Sequence, residues 1–398
     1  MADLDTNGTA TSSRGFHAGA TYAGMKTYGE GKLDLGILYS DQPCETAAVF
    51  TKSRLHAASI DIDREHLRDG RAQAVVVNAG IANASTGERG LNDARRVTGW
   101  VASRFDVPQD DVLICSTGVI GHFLPLDLME QGVLSVNLQE DGGREFAQAI
   151  MTTDTRPKHA SIRFGNYTIG GCAKGAGMIH PNMATMLAFL TTDAPVEQRF
   201  LQRALAEVSD RSFNLVSIDG DTSPSDTVFL MANGVAGGEP ITADSPQAGP
   251  FIDALETLCV YLAREIARDG EGATKLIDVS VSGAASTDDA RKLARLMTTS
   301  YLLKSAVHGA DPNWGRIISV IGRSGVELID EKVTVDLCGY RVFEHEEPTE
   351  FDPAQVSKAM EASEVTIAVD LGIGLGEARG WGCDLTADYV SINADYHT

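Results

Sequence analysis

Lys174-Gly-Ala-Gly-Met-Ile-His-Pro-Asn-Met-Ala184, followed by Thr185, joins a glycine-rich segment to an apolar run that ends at Leu190. Glycines have no Cβ and therefore allow tight backbone turns and the close approach of a ligand. The Pro181-Asn182 pair is typical of a turn. A short apolar run after such a turn predicts a buried strand, although a buried helical segment has the same pattern. The stretch is therefore expected to turn sharply and then enter the core.

A single hydroxyl, that of Thr185, lies at the start of this apolar run. A threonine hydroxyl is a weak nucleophile unless a base lies beside it. Cleavage of the chain before the threonine would supply that base, because the new α-amine would lie next to the hydroxyl. The simpler interpretation is a core threonine whose hydroxyl bonds to backbone, and this stretch alone favours it.

The composition indicates an ordinary globular protein. Its 398 residues are ample for a large core, in two domains or in one large two-part domain. The hydrophobic content of 43% and the charged content of 22% are typical of soluble proteins. The net charge of −22 argues against nucleic acid as a partner, because phosphates require a basic surface. No apolar stretch reaches the length of a membrane span.

The cysteines and the N-terminus indicate a cytoplasmic location. The six cysteines are scattered without CxxC or histidine spacing, which predicts free thiols in a reducing compartment rather than disulfides or a zinc site. The first residues lack the hydrophobic core of a signal peptide. Residues 1–14 are therefore expected to form a disordered tail.

Apolar runs and amphipathic repeats alternate along the rest of the chain. Short runs rich in β-branched residues predict buried strands, and apolar residues at helical spacing predict helices packed on one face. The predicted strands cover residues 74–78, 111–115, 276–281, 333–337 and 365–371, and the predicted helices cover residues 91–105, a segment after Pro195 and residues 252–267. This interleaving indicates an α/β or α+β fold of layered sheets and helices. No linker divides the chain, so the best-supported boundary is functional, at Ala184/Thr185.

The stretch from Lys174 to Ala194, KGAGMIHPNMATMLAFLTTDA, resembles the signature of the ornithine acetyltransferase (glutamate N-acetyltransferase) family. Members of that family cleave themselves between the alanine and the threonine of this motif, here Ala184 and Thr185. Similar stretches extend over nearly the whole chain from Gly15 to Thr398. They are residues 77–88, 115–121, 151–157, 217–222, 269–273, 311–316 and 388–398.

The resemblance implies a two-domain layered sandwich of sheets and helices, related in style to the N-terminal-nucleophile hydrolases. It implies self-cleavage into an α chain, residues 15–184 after the tail, and a β chain, residues 185–398, which assemble as α2β2. The expected reaction, a step of arginine biosynthesis, moves the acetyl group of N-acetylornithine to glutamate by a ping-pong route through an acetyl-Thr185 enzyme. It needs no cofactor and no metal, and whether acetyl-CoA also serves as a co-substrate stays open.

The resemblance also implies roles for single residues. Thr117 and Gly118 match the oxyanion hole, through a hydroxyl and a backbone N–H. The residues that match substrate-binding positions are Thr152, Thr153, Lys174, Thr185, Glu271, Asn393 and Thr398. Which of the first two threonines contacts substrate stays open. Without the resemblance, a lysine in a glycine-rich loop and a glutamate between glycines would be interpreted as solvated surface residues.

Several alternatives remain at the level of the sequence. Asp219, Asp221 and Asp226 resemble a metal cluster, but no histidines accompany them, so loop and turn roles are favoured. A self-cleaving amidase or aminopeptidase would pass the acyl group to water, and a paralogue in secondary metabolism would acylate another amine. An uncleaved precursor that acts only as a binding or scaffold protein is disfavoured by the intact Ala184-Thr185 pair.

Overall fold

The computed structural model describes residues 4–26, 31–180 and 186–395. Within these ranges the chain forms two β-sheets covered by helices. The strands, in chain order, are β1 (Leu4–Asp5), β2 (Phe16–Thr21), β3 (Leu35–Phe50), β4 (Arg71–Ile81), β5 (Val112–Val119), β6 (Lys158–Phe164), β7 (Tyr167–Lys174), β8 (Leu187–Thr192), β9 (Val216–Ser217), β10 (Thr227–Ala232), β11 (Leu276–Ala284), β12 (Thr334–Leu337), β13 (Tyr340–Glu344), β14 (Glu347–Pro348), β15 (Glu364–Asp370) and β16 (Gly376–Cys383). The helices are α1 (Ala58–His66), α2 (Gly87–Phe105), α3 (Leu126–Ser135), α4 (Gly143–Ala149), α5 (Gln198–Arg211), α6 (Ala248–Arg268), α7 (Thr287–Thr299), α8 (Tyr301–His308), α9 (Gly315–Arg323), α10 (Pro353–Met360) and α11 (Ala387–Asp395).

The larger sheet is buried on both faces. Among the described residues it has nine strands, in the order β1-β6-β7-β8-β10-β3-β4-β5, with β2 paired to β3. Neighbours are antiparallel, apart from the parallel pairs β8 with β10 and β4 with β5. Along β4, Val75 and Val77 pack with Phe146 of α4, while Val76 packs with Val97 of α2. Because helices cover both faces of the sheet, the sequence of β4 is a nearly continuous apolar run and does not alternate between apolar and polar residues.

The smaller sheet has seven strands in the described part of the chain, in the order β14-β13-β12-β15-β11-β16-β9. Helix α7 begins where the hydroxyl of Ser286 accepts the backbone N–H of Asp289, which caps the helix N-terminus. Its apolar face, with Leu293 and Met297, packs on Val279 and Ile367 of the sheet. This face gives the smaller sheet a core of its own.

A shared group of buried side chains joins the two sheets. Ile266 of α6 and Leu205 of α5 belong to the same cluster as Leu190 of β8 and Trp381 of β16. The chain passes between the sheets nearby, because β9 lies in the smaller sheet and β10 in the larger. The chain therefore crosses from one sheet to the other within residues 185–398. The larger sheet contains strands from both sides of the Ala184/Thr185 bond.

The strands on either side of the expected cleavage position are neighbours. β7 and β8 pair antiparallel, with Lys174 opposite Leu187 and Ile169 opposite Thr192. Residues 181–185 lie outside the described residues, so the strand predicted after Pro181-Asn182 is confirmed from Leu187 onwards. The glycine-rich stretch therefore leads out of one central strand and towards the next.

The predicted α/β class and the predicted elements are confirmed. The strand expected at residues 74–78 lies within β4, and the one expected at residues 111–115 corresponds to the start of β5. The three remaining predicted strands correspond to β11, β12 and β15. The helix expected after Pro195 is α5. Helix α2 begins at Gly87 and helix α6 begins at Ala248, each four residues before its predicted start.

The prediction of a disordered tail over residues 1–14 is wrong for residues 4–14. β1 pairs with β6, with Leu4 opposite Ile162. Ser13 is fully buried, and its hydroxyl donates to the backbone carbonyls of Thr168 and Thr191 at 3.1 Å each. Ala10 is also fully buried in the core beneath the larger sheet. Partners from distant parts of the chain order this segment, although its own sequence has no apolar periodicity.

The cysteines serve as small core residues. All six are free thiols, and five are buried. Burial raises the pKa of each buried thiol, that of Cys44 to about 12, so these side chains lack the thiolate character of a nucleophile.

No helix in residues 4–26, 31–180 and 186–395 combines the length and the apolar character that crossing a membrane requires.

Candidate active site

A cavity of about 140 Å³ lies where the ends of β5 and β7 meet the loops that follow α4 and α6. It collects side chains that are far apart in the chain. The predicted site residues that line it are Thr117, Gly118, Thr152, Thr153, Lys174, Glu271 and Asn393. The structure thus brings together every predicted site residue that it describes. Ala184, Thr185 and Thr398 lie outside the described residues, but Met186, the chain neighbour of Thr185, lines the cavity.

Thr117 and Gly118 lie in the last residues of β5, paired in parallel with Ala79 and Gly80 of β4. Gly118 has a φ of +127°, a backbone conformation open to glycine. A Cβ at this position would overlap the carbonyl of Gly80. The missing side chain of Gly118 therefore lets β5 approach β4 closely, and both Thr117 and Gly118 line the cavity.

Lys174, at the end of β7, brings a buried cation to the cavity wall. Its ammonium group donates to the hydroxyl of Thr152 at 3.3 Å. Burial lowers the pKa of Lys174, while the carboxylates of Asp154 and Asp226 act in the opposite direction. Lys174 is therefore not a solvated surface residue, and the neighbouring carboxylates favour its charged form.

A buried ion network that the sequence did not predict holds the loops around the cavity. The ammonium group of Lys158 lies 2.6 Å from a carboxylate oxygen of Asp154 and 2.6 Å from one of Asp269. Asp154 also accepts the backbone N–H groups of Thr152 at 3.0 Å and of Gly175 at 2.7 Å. One carboxylate thus fixes both the threonine loop and the glycine that follows Lys174.

Opposite charges in this network compensate for the cost of burying its ionised groups. Burial acts to raise the pKa of Asp154, but the ammonium groups of Lys158 and Lys174 outweigh it and leave the pKa below its usual range. Asp269, the second partner of Lys158, accepts the backbone N–H of Thr155 at 3.1 Å. The loop after α4 and the end of α6 are therefore tied through one lysine. The signal in the sequence was slight: Asp154 and Asp269 both lie within stretches that resemble the family.

Glu271 brings a carboxylate to the cavity from the loop after α6. Its backbone N–H donates to the carbonyl of Ala176 at 2.9 Å. Its side chain accepts a 2.7 Å hydrogen bond from the amide of Asn393 on α11. A methyl group at Gly177 would overlap this carboxylate. The glycine in the signature motif therefore leaves the space that the Glu271 side chain occupies.

His180 is held by side chains on both sides of its ring. The guanidinium of Arg295 donates to Nε2 at 2.9 Å, so Nδ1 carries the proton and donates to the hydroxyl of Ser217 at 3.0 Å. Burial and the Arg295 charge lower the pKa of His180 to about 4. The residue that precedes Pro181 is thus anchored to the smaller sheet and its helix in neutral form.

Asp219, in the loop after β9, stabilises the backbone around it. The carboxylate of Asp219 accepts the N–H groups of Met178 at 2.5 Å, Ile179 at 2.9 Å and Asp221 at 3.2 Å. Asp226 follows on the other side of this loop and lines the cavity with Ser225. Within the described ranges, no group of three His, Cys, Asp or Glu side chains could hold a metal ion. The structure gives Asp219 the turn role that the sequence favoured.

The arrangement suits small zwitterionic molecules. Lys174 offers a cation for a carboxylate, and Glu271 offers a carboxylate for an amine, in a cavity of amino-acid size. Thr117 and Gly118 can supply a hydroxyl and a backbone N–H for a developing oxyanion. The site can therefore hold an α-amino acid and stabilise attack on an acyl group attached to it.

Comparison with known proteins identifies the family of this chain. The sequence model of the ArgJ family matches residues 17–398. The arginine biosynthesis bifunctional protein ArgJ of Dehalococcoides mccartyi (strain CBDB1) is 46% identical over 400 residues, covering 100% of this chain and 99% of the relative. Its namesake from Bacillus subtilis (strain 168) is 44% identical, covering 99% of this chain and 98% of the relative.

A solved structure agrees with the sequence relatives. The crystal structure of the arginine biosynthesis bifunctional protein ArgJ from Bacillus halodurans has a TM-score of 0.52 and 46% sequence identity. The match covers 53% of this chain and 100% of the solved chain. With a family match over nearly its whole length, and relatives of more than 40% identity, this chain belongs to the ArgJ family.

Proposed function

We propose that this ArgJ-family enzyme moves the acetyl group of N-acetylornithine to glutamate through an acetyl-Thr185 enzyme, after it cleaves its own chain between Ala184 and Thr185. The observation that carries the proposal is the pairing of Lys174 and Glu271 in one cavity with Thr117 and Gly118. Met186, which the chain joins directly to Thr185, lines the same cavity.

Both amino acids of the reaction fit this pair of charges. N-acetylornithine and glutamate each carry an α-carboxylate, which the ammonium of Lys174 can bind as a charge-assisted hydrogen bond. The carboxylate of Glu271 can bind the ammonium group of ornithine. It can also bind the ammonium group of the substrate glutamate, before the free amine of that glutamate attacks the acetyl ester. Thr152, held by Lys174 and Asp154, adds a hydroxyl at the same wall. One pocket used in turn by two similar molecules gives ping-pong kinetics.

The chemistry follows from a nucleophile with its own base. The hydroxyl of Thr185 attacks the acetyl carbonyl, and its α-amine, whose ordinary pKa is near ~8, accepts the hydroxyl proton. Thr117 and Gly118 stabilise the oxyanion. The amide C–N bond then breaks, the proton passes to the leaving nitrogen, and ornithine departs. The amine of glutamate attacks the acetyl ester and restores the threonine hydroxyl.

One observation supports self-cleavage, and another indicates that the fragments would stay together. The solved Bacillus halodurans chain aligns in full with 53% of this chain, and residues 185–398 are 214 of 398 residues, or about 54%. The antiparallel pairing of β7 with β8 would keep the two fragments together after the cut. We therefore infer an α chain that ends at Ala184 and a β chain that begins at Thr185, assembled as α2β2.

Acetyl-CoA enters as a second acetyl donor. The relatives from Dehalococcoides mccartyi and Bacillus subtilis are named bifunctional proteins of arginine biosynthesis. We infer that this enzyme also transfers acetyl from acetyl-CoA to glutamate, through the same acetyl-Thr185 ester. The thioester carbonyl would meet the same oxyanion hole as the amide carbonyl.

The test compares the intact masses of purified wild type, Thr185→Ala and Thr185→Ser. We expect two fragments that break at Ala184/Thr185 in the wild type and one full-length chain in Thr185→Ala. The serine variant keeps a hydroxyl and should cleave, more slowly. A single intact chain in the wild type would leave the nucleophile without its base and would overturn the proposal.

A second assay separates transferase from amidase. Cleaved enzyme is given N-acetylornithine with glutamate, and then with water alone as acceptor, and the products are read by mass spectrometry. Acetylglutamate should form much faster than free acetate. Equal rates would identify an amidase of the same nucleophile type.

A further inference from the structure

A second cavity, of about 720 Å³, lies between helix α7 and the loop of residues 219–221. Three basic side chains of α7 line it, those of Arg291, Lys292 and Arg295. Arg291 and Arg295 are four residues apart and share one face of the helix. Tyr301, at the start of α8, lines the same cavity and is 63% exposed. A cationic helix face beside an exposed aromatic ring is an arrangement suited to a nucleotide.

Two of these cations are available to an anion. Arg291 is 3.5 Å from the carboxylate of Asp288. Lys292 donates to the backbone carbonyl of Gly325 at 3.3 Å, and Arg295 donates to neutral His180. Among the described residues, no carboxylate forms an ion pair with Lys292 or Arg295. Lys292 and Arg295 can therefore each donate to an anionic ligand without first breaking an ion pair.

Three carboxylates, those of Asp219, Asp221 and Asp288, also line the cavity, so its formal charges balance, and the basic groups are confined to the wall that α7 forms. The carboxylate oxygens of Asp219 accept the backbone N–H groups of Met178 and Ile179. Asp221 remains on the exposed loop beside Gly220, where it can accept a hydrogen bond from an amide or amino donor of a ligand. The cavity therefore offers cations on one wall and a hydrogen-bond acceptor on the other.

The two cavities share one short segment of chain. Met178 lines the catalytic cavity and is 42% exposed, while His180, two residues later, lines the second cavity. Two residues of chain span at most about 7 Å. A long flexible ligand anchored in the second cavity could therefore place its far end in the catalytic cavity.

We propose that the second cavity binds the adenosine bisphosphate end of coenzyme A when acetyl-CoA is the acetyl donor, an inference that rests on the proposed use of acetyl-CoA. Lys292 and Arg295 bind the phosphates, and the adenine ring stacks on Tyr301. The pantetheine arm passes Met178 and carries the thioester to the catalytic cavity. Thr185 attacks the thioester carbonyl, the C–S bond breaks, and the sulfur leaves as the thiol with the proton taken from the threonine.

The test uses the cleaved enzyme with coenzyme A and adenosine 3′,5′-bisphosphate as probes in calorimetry. Lys292→Glu reverses one charge at the phosphates and should raise the Kd of both probes by about 10- to 100-fold. Tyr301→Ala should raise it about tenfold through lost stacking, and Tyr301→Trp should retain it. Arg199→Glu, the same charge change on exposed α5, is the control and should leave the Kd unchanged.

Kinetics with the two donors separate this inference from the proposed function. Lys292→Glu and Tyr301→Ala should raise the KM for acetyl-CoA by the same factors and leave the KM for N-acetylornithine and the extent of self-cleavage unchanged. An equal rise for both donors would overturn the inference, as would unchanged binding of coenzyme A in both variants. A wild type that uses N-acetylornithine but does not bind coenzyme A would overturn the inference alone. A cleaved wild type inactive with N-acetylornithine would overturn the proposed function.

Discussion

The side-chain amide of Asn393 donates a 2.7 Å hydrogen bond to the carboxylate of Glu271. It links helix α11, near the C-terminus, to the loop that follows α6. None of the residues of α11 is buried, so this helix depends on few contacts to keep its place at the cavity. The carboxylate that we propose to bind substrate is thus held by a hydrogen bond from the last helix of the described chain.

Removal of this donor should weaken substrate binding. In Asn393→Ala the Glu271 carboxylate loses a charge-assisted hydrogen bond, and we expect the KM for glutamate and N-acetylornithine to rise about tenfold. Self-cleavage should remain complete, as read by intact mass. Ser391→Ala, on the same helix, is the control, and an unchanged KM in Asn393→Ala would exclude an orienting role.

A methyl group at position 177 should displace the same carboxylate. Gly177→Ala would place its Cβ in the space of the flexible Glu271 side chain, which can move aside at little cost to folding. We expect a large rise in KM with a melting temperature close to that of the wild type. Gly249→Ala is the matched control because a Cβ there would meet open space. A wild-type KM in Gly177→Ala would show that the position of Glu271 does not matter.

Thr117 should act on the transition state rather than on binding. Thr117→Ala removes one oxyanion donor, and we expect kcat to fall about 100- to 1000-fold with little change in KM. Thr117→Ser retains a hydroxyl and should recover most of the activity. The cleaved fraction of each variant is first measured by intact mass, so that lost acetyl transfer is not confused with lost processing. A kcat within twofold of the wild type would contradict the role.

Lys158 should matter for stability. Lys158→Met leaves the carboxylates of Asp154 and Asp269 buried without their cation, and we expect unfolding free energy to fall by about 3–5 kcal/mol. Lys358→Met, at an exposed ion pair, is the control and should have little effect. Denaturant unfolding measures both. A loss in Lys158→Met no larger than in the control would mean that the network is not needed to hold the loops.

His180 should make stability depend on pH. Its pKa is lowered to about 4 in the folded protein, from an ordinary value of 6.5. Between these values the unfolded chain binds more protons than the folded one, so stability should fall as the pH falls from about 6.5 towards 4. His180→Gln stays neutral and can still accept from Arg295, so its melting temperature should fall less over this range. His122→Gln, at an exposed position, should behave as the wild type, and parallel curves for all three proteins would contradict the assignment.

The sequence predicts most of the secondary structure because its signals are local. Val75 to Val77 read as a buried strand and form one, since helices cover both faces of β4. Phe200, Leu201 and Leu205 read as one apolar helix face and are buried on α5. The segment of residues 4–14 has no such pattern. Its order comes from β6 and from carbonyls more than 150 residues away, which no local pattern encodes.

The residues of the site also fall into two groups, those that the sequence predicts and those that it does not. Family resemblance supplied Thr117, Lys174 and Glu271, which are spread over more than 150 residues, and the fold brings them to one cavity. The Lys158 network and the His180–Arg295 contact were missed because an ion pair depends on two elements that meet only in three dimensions. Composition gave no reason to choose Lys158 from the 33 lysines and arginines of the chain.

The pairing of β7 with β8 predicts how slowly the two fragments of a cleaved molecule would exchange with those of another molecule. Six residue pairs join these strands in the interior of the larger sheet, from Ile169–Thr192 to Lys174–Leu187. Fragments that meet in a shared core can part only when that core opens, so their exchange between molecules should be as slow as global unfolding. Isotope-labelled and unlabelled enzymes, mixed after cleavage, should keep their original partners. An intact chain would thus be needed to fold the larger sheet, but it would not be needed to hold that sheet together after cleavage.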